Sequence, residues 1–138
     1  MSSTIVTVLV WAAALSSGIM AGIYFAFSVF IIQVFGKIDT AHSIAVMNAI
    51  NKTNLRSAFM PLFFGSSIVA ALLIIVAFAR SGEIGAGLIL MAGTIYFVGM
   101  FVCTIVFNVP RNNTLATVDP SSMNAQDTWT DYLNTWTK

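Results

Sequence analysis

Charge is what this chain has least of. Only 8% of its 138 residues are Asp, Glu, Lys or Arg, against about a quarter in soluble domains. Apolar residues make up 58%, and the mean hydropathy is +0.89. That balance excludes an ordinary soluble domain and predicts an integral membrane protein. The formal net charge is +1, so no basic face is available to neutralise phosphates, and nucleic acid is not an expected partner. Cys103 is the single cysteine. It cannot form an internal disulfide, no Cys/His spacing suits zinc, and no metal site is expected. The single histidine, His42, lies outside the apolar runs, which leaves a transmembrane cytochrome without axial ligands; Met20, Met91 and Met100 read as packing residues. No Asp, Glu, Lys, Arg or His falls in the middle of an apolar run. A proton-coupled exporter needs a buried carboxylate, and a pump marks its path with ionisable groups, so both classes are disfavoured.

What is present is apolar length. Residues 5–35, 58–79 and 84–107 form three runs able to cross a bilayer as helices. The expected fold is therefore all-α: a membrane helix bundle, one integral membrane domain over residues 1–138, with the lipid bilayer as its surroundings. As a helix the first run would reach about 46 Å, well beyond a ~30 Å hydrocarbon core, so it must tilt or protrude. It has no Lys or Arg in its first four residues and is too long for the bounded apolar region of a cleaved signal, so it reads as a retained span. Gly18 and Gly22 in the first span, and Gly93 and Gly99 in the third, are small residues suited to close helix packing. Tyr24, Phe25, Phe27 and Phe30 crowd the second half of the first span, either as lipid-facing and core residues or as the wall of a pocket for a flat ligand.

The polar segments between and after the runs carry the chemistry. Within residues 36–57, Asp39 or Thr40 can cap a short helix over about 40–52, with Ile44, Met47 and Ile50 towards one face. Asn48, Asn51 and Asn54 recur every third residue, and His42 sits on the first turn, either solvated or available as a base. The third run ends in Asn108, Asn112 and Asn113, with Pro110 expected to end the helix; the amides are then a helix stop or one wall of a site. Asp119-Pro120 predicts the start of a last helix over about 120–136, where Trp129, Tyr132, Leu133 and Trp136 share one face. The first of these short helices is expected at the membrane interface, and the last either at the membrane surface or packed on the loop helix at Ala41–Asn51. Lys37, Lys52 and Arg56 lie between the first two runs and Arg111 and Lys138 follow the third, with Arg80 alone opposite. The positive-inside bias then places loop 36–57 and the C-terminus in the cytoplasm and the protein in the cell (inner) membrane, with the N-terminus outside.

Four segments together form a recognisable pattern: Gly22-Ile-Tyr-Phe-Ala-Phe-Ser28, Met47-Asn-Ala-Ile-Asn51, Asn108-Val-Pro-Arg-Asn-Asn-Thr-Leu115, and Trp129-x-x-Tyr132-x-x-x-Trp136. With them the chain resembles the anthrone oxygenase-like family of small integral membrane proteins. The resemblance implies a bundle of four transmembrane helices, three of them visible here. Family members usually continue past the second tryptophan with an Asn-His-x-Arg segment and a fourth helix, and Arg111 stands where Leu or Met is common. It also implies oxygenation of a hydrophobic aromatic or phenolic substrate with no cofactor, because an anthrone gives a stabilised carbanion that can pass an electron to dioxygen directly. On that reading Asn51, Asn108 and Asn112 donate to the enolate oxygen, Tyr24, Trp129, Tyr132 and Trp136 clasp the rings, and His42 is the candidate base. The competing reading is non-enzymatic: a homo-oligomer, or a bundle that binds a lipid, a quinone or other membrane subunits through its small-residue faces. In that case Gly22→Leu would cost it the partner.

Overall fold

The computed structural model describes residues 3–136; Lys138, counted in the charge balance above, lies outside the described residues. These residues are all-helical, with no strand among them. In order they form α1 (Ser3–Ala26), a π-helical segment (Phe27–Ile31), α2 (Ile32–Phe35), α3 (Thr40–Asn54), α4 (Phe59–Ala79) and α5 (Ala86–Tyr96). Two further π segments (Phe97–Val102 and Thr104–Asn108), α6 (Val109–Thr117) and α7 (Ala125–Trp136) complete the chain. Three stretches, Thr4–Phe35, Phe59–Ala79 and Ala86–Thr117, are long and apolar enough to cross a membrane.

Two of these boundaries depart from what the residues predict. Pro110 does not end the third helix, which runs on to Thr117. The preceding turns are wound as π-helix, which moves the carbonyls opposite the proline ring out of α register and removes the clash and lost bond that proline normally causes. Side chains take up carbonyls around this point: Arg111 Nη1 donates to the Phe107 carbonyl at 3.0 Å and Thr114 Oγ1 to the Pro110 carbonyl at 3.1 Å. The last helix, in turn, begins at Ala125 and not at Pro120. Asp119 instead folds a turn on itself, accepting from the Ser121 amide at 2.9 Å through Oδ1 and from the Ser122 hydroxyl at 2.7 Å through its carbonyl. Short polar side chains of this kind compete with the first turn of a helix.

The chain forms two compact units. One comprises the chain up to Met20 with Met60–Val106, the other Ala21–Phe59 with the chain from Phe107 onward. The first is built from apolar helices. Gly85, at φ 89°, supplies the left-handed residue that ends the turn after α4 and allows α5 to start at Ala86. In α4 Phe63, Ser66, Ser67, Ala70, Leu73 and Ala77 face inward. The two serines donate to the Phe63 carbonyl one turn back, at 3.1 and 2.6 Å, and so bury no unsatisfied hydroxyl. Gly93 lets α5 approach α4 closely: a Cβ there would meet Ile74 Cγ1 at 2.9 Å.

The second unit has a core of different make-up. Ile32, Phe35, Ile44, Met47, Leu115, Ala125, Trp129 and Tyr132 form one buried cluster, with Phe27, Ile31 and Ile50 packed against it. The expected face of α3 is the one that is buried. Asp39 caps that helix, accepting from the His42 amide at 3.2 Å. The buried Ser43 hydroxyl donates at 2.8 Å to the carbonyl of Phe35, the last residue of α2, giving that helix end a partner.

Candidate functional site

Within this second unit α3, α6 and α7 bring amides and aromatic rings together. Trp129, Tyr132 and Trp136 lie at i, i+3 and i+7 on α7, and their rings follow one another along one face. Trp129 stacks on Tyr132 (centroids 5.4 Å apart, planes at 13°), and Tyr132 meets Trp136 at 6.4 Å. The series is closed at both ends by rings from the first long helix. Phe35 stands edge-on to Trp129 at 6.3 Å, and Phe27 lies beside Trp136 at 6.2 Å. The π segment that carries Phe27 also carries Ile31, and both pack against the cluster.

The Tyr132 hydroxyl is the polar centre. It donates to Asn112 Oδ1, one helix away, at 2.8 Å. Burial pushes the phenol up to about 12, although the Trp136 indole and the Asn51 amide beside it favour the ionised form. The hydroxyl therefore stays protonated at physiological pH. Asn51 Nδ2 and Trp136 Nε1 are both buried and stand close enough to the Tyr132 oxygen to favour its ionised form, yet neither makes a well-aligned hydrogen bond. Asn48, one turn before Asn51, donates to the Leu115 carbonyl at 3.3 Å through Nδ2, while its buried Oδ1 is unpartnered. Leaving such groups without a well-formed hydrogen bond typically costs about 1–3 kcal/mol each, and three of them lie in one small unit.

The other residues singled out from the sequence fall in different places. Asn108 is half-buried, about one turn before Asn112. Tyr24 is half-buried on α1 and does not belong to the buried cluster. Trp129 is 2% exposed and packed between rings, a core residue as much as a ligand wall. His42 is exposed, its Nδ1 2.9 Å from Asp39 Oδ2, and stands nine residues, about 13 Å, along α3 from Asn51. Gly18, Gly22 and Gly99 have nothing within 4 Å of where a side chain would begin, in contrast to Gly93. Among the described residues no group of His, Cys, Asp and Glu could hold a metal ion. Asn48 was the residue least visible as a site member. Its only signal was the three-residue spacing with Asn51, which equally describes a solvated face.

An all-helical chain with three bilayer-length helices and a buried cluster of amides and aromatic rings is the class that this fold and site define. The family model described as anthrone oxygenase matches residues 56–138, more than half of the chain, and the chain belongs to that family. The match takes in Asn112, Trp129, Tyr132 and Trp136, while Asn51 precedes it. No curated protein and no solved structure matches the chain.

Proposed function

We propose that the protein is a membrane oxygenase acting on a flat, hydrophobic substrate with an acidic methylene, of the anthrone type, and that the Tyr132 cluster is its active site. The observation that carries this reading is the pair of buried donors, Asn51 Nδ2 and Trp136 Nε1, that approach the Tyr132 oxygen without a well-aligned hydrogen bond, beside a hydroxyl that stays neutral. Two such donors suit an enolate oxygen, which needs hydrogen bonds that strengthen as charge develops. Tyr132 holds Asn112 in place, and the α7 rings supply an apolar wall.

The chemistry requires no bound redox group. The substrate CH2 loses a proton to solvent and becomes an enolate, with the charge on oxygen held by Asn51 and Trp136. The enolate passes one electron to dioxygen; the resulting carbon radical and superoxide combine in a C–O bond, and the peroxide anion takes up a proton. Loss of water, with the remaining hydrogen on that carbon, leaves a new C=O. In sum, CH2 and O2 become C=O and H2O. His42, exposed and paired with Asp39, has no part in this scheme. The three long helices cross the cell membrane, and the basic residues keep the amide cluster on the cytoplasmic side.

The test is oxygen-dependent conversion of an anthrone to its quinone, followed by absorbance. Asn51→Leu removes a donor at nearly constant volume, and turnover should fall roughly 100-fold, with a smaller loss for Trp136→Phe. Unchanged turnover in both variants, with helicity intact, would remove the cluster from the reaction.

A further inference from the structure

The unit formed by the chain up to Met20 and Met60–Val106 contains a cavity of about 220 Å³. Its walls are short apolar side chains: Val10 and Ala14 from α1, Ala70 and Leu73 from α4, Ile89 and Gly93 from α5. No charged group lines it, but three hydroxyls do: Ser17, which donates to the Ala14 carbonyl at 3.2 Å, and the pair Ser66 and Tyr96. The pair is ordered in one direction. Tyr96 donates to Ser66 Oγ at 2.8 Å, and Ser66 donates to the Phe63 carbonyl at 3.1 Å. Both protons are thus committed, and the Tyr96 oxygen is left as an acceptor on the cavity wall.

Water is a poor occupant of such a space. A buried water needs about 2–4 polar partners, whereas apolar cavities of about 150 Å³ stay dry and take up benzene. A larger, mostly apolar cavity whose hydroxyls have already committed their protons calls for a larger apolar molecule that brings a donor. We propose that this cavity binds a single uncharged, lipid-soluble molecule of one or two fused rings whose hydroxyl donates to Tyr96 Oη. The site is separate from the Tyr132 cluster and does not depend on the oxygenase reading. Charged compounds are excluded because nothing in the lining would pair with them.

The full chain in lipid nanodiscs can be titrated with 6-fluoro-2-naphthol, with 2-fluoronaphthalene as the hydroxyl-free control, and binding read by fluorine NMR. Saturable binding of one naphthol per chain is expected. Ala70→Phe fills the cavity and should weaken binding more than ten-fold, whereas Asn51→Leu, in the other unit, should leave it unchanged. Tyr96→Phe removes the acceptor together with its bond to Ser66 and should weaken the naphthol about five-fold, the size of one hydrogen bond, without affecting the fluoronaphthalene. The proposal is overturned if binding is non-saturable in the wild-type chain, since that is partition into lipid. It is equally overturned if Asn51→Leu removes binding, or if Tyr96→Phe leaves the preference for naphthol over fluoronaphthalene intact. That last comparison needs no bulky substitution and decides the matter even if Ala70→Phe fails to fold. A phospholipid retained in native mass spectra and displaced by Ala70→Phe would make the cavity an acyl-chain site instead.

Discussion

The two units solve the same problem, burying polar atoms among apolar helices, in opposite ways. In the unit that contains α4 and α5, buried hydroxyls turn back on their own helix: Ser66 and Ser67 both donate to the Phe63 carbonyl. Both serine bonds are made within one turn, the one hydroxyl bond between α5 and α4 being that of Tyr96 to Ser66, and the packing around them asks for little beyond small residues and apolar surface. In the unit that contains α3, α6 and α7, polar atoms are paired across elements far apart in sequence, Asn48 with the Leu115 carbonyl and Tyr132 with Asn112. The pairing there is incomplete. Serine hydroxyls satisfied within their own helix make a scaffold, whereas polar atoms buried without well-formed hydrogen bonds are what the proposed active site would use.

That contrast can be tested at its centre. Trp129 is 2% exposed and touches rings on two sides, so Trp129→Ala should cost about 3–5 kcal/mol. The loss should be confined to one unit. Limited proteolysis would then open residues 36–58 and 118–136 while most helical circular dichroism persists. Simultaneous collapse of all helices would mean that the two units are one cooperative structure.

A smaller effect follows from Tyr132. Its phenol is raised by burial from an ordinary value of 10 to about 12. The neutral form is favoured in the folded state, so its contribution is complete below pH 10. It is lost as pH rises towards 12, because the unfolded chain gives up the proton first. The wild-type chain should lose about 2–3 kcal/mol over that interval relative to Tyr132→Phe, measured as the difference in denaturation midpoints. Parallel pH profiles for the two proteins would show that the hydroxyl is not buried in solution. Between pH 6 and 9 this group stays protonated and contributes no inflection to turnover.

The smallest expected effects compare the glycines. Gly93→Ala sets a methyl 2.9 Å from Ile74 Cγ1 and 3.4 Å from the Ala70 carbonyl, and overpacking of this kind costs about 1–2 kcal/mol. Gly22→Ala meets nothing within 4 Å and should change stability by less than about 1 kcal/mol, in the favourable direction, through helix propensity. Thermal unfolding in one detergent orders the pair. A large penalty at Gly22 would reveal another helix packed on that face.

The residues themselves determined the all-helical fold and its three bilayer-length helices, because apolar length and the scarcity of charge leave few alternatives. They also determined which faces of α3 and α7 are buried: Ile44 and Met47, and Trp129 and Tyr132, recur at helical spacing between polar residues. No such reading was possible for α4, which is apolar all the way round, so only packing decided that Ser66, Ala70 and Leu73 face inward. Tertiary structure likewise decided the path through Pro110, which depends on a π-wound turn that no local propensity specifies. It also decided which polar residues meet. Asn51, Asn112 and Tyr132 were each visible as candidates, but the neutral state of the phenol and the poorly aligned donors beside it exist only where α3, α6 and α7 exclude water together. His42, equally conspicuous in the sequence, remained on the exposed first turn of α3 with Asp39, because residue type names the possible chemistry and only the packing of the helices sets the dielectric in which it can occur.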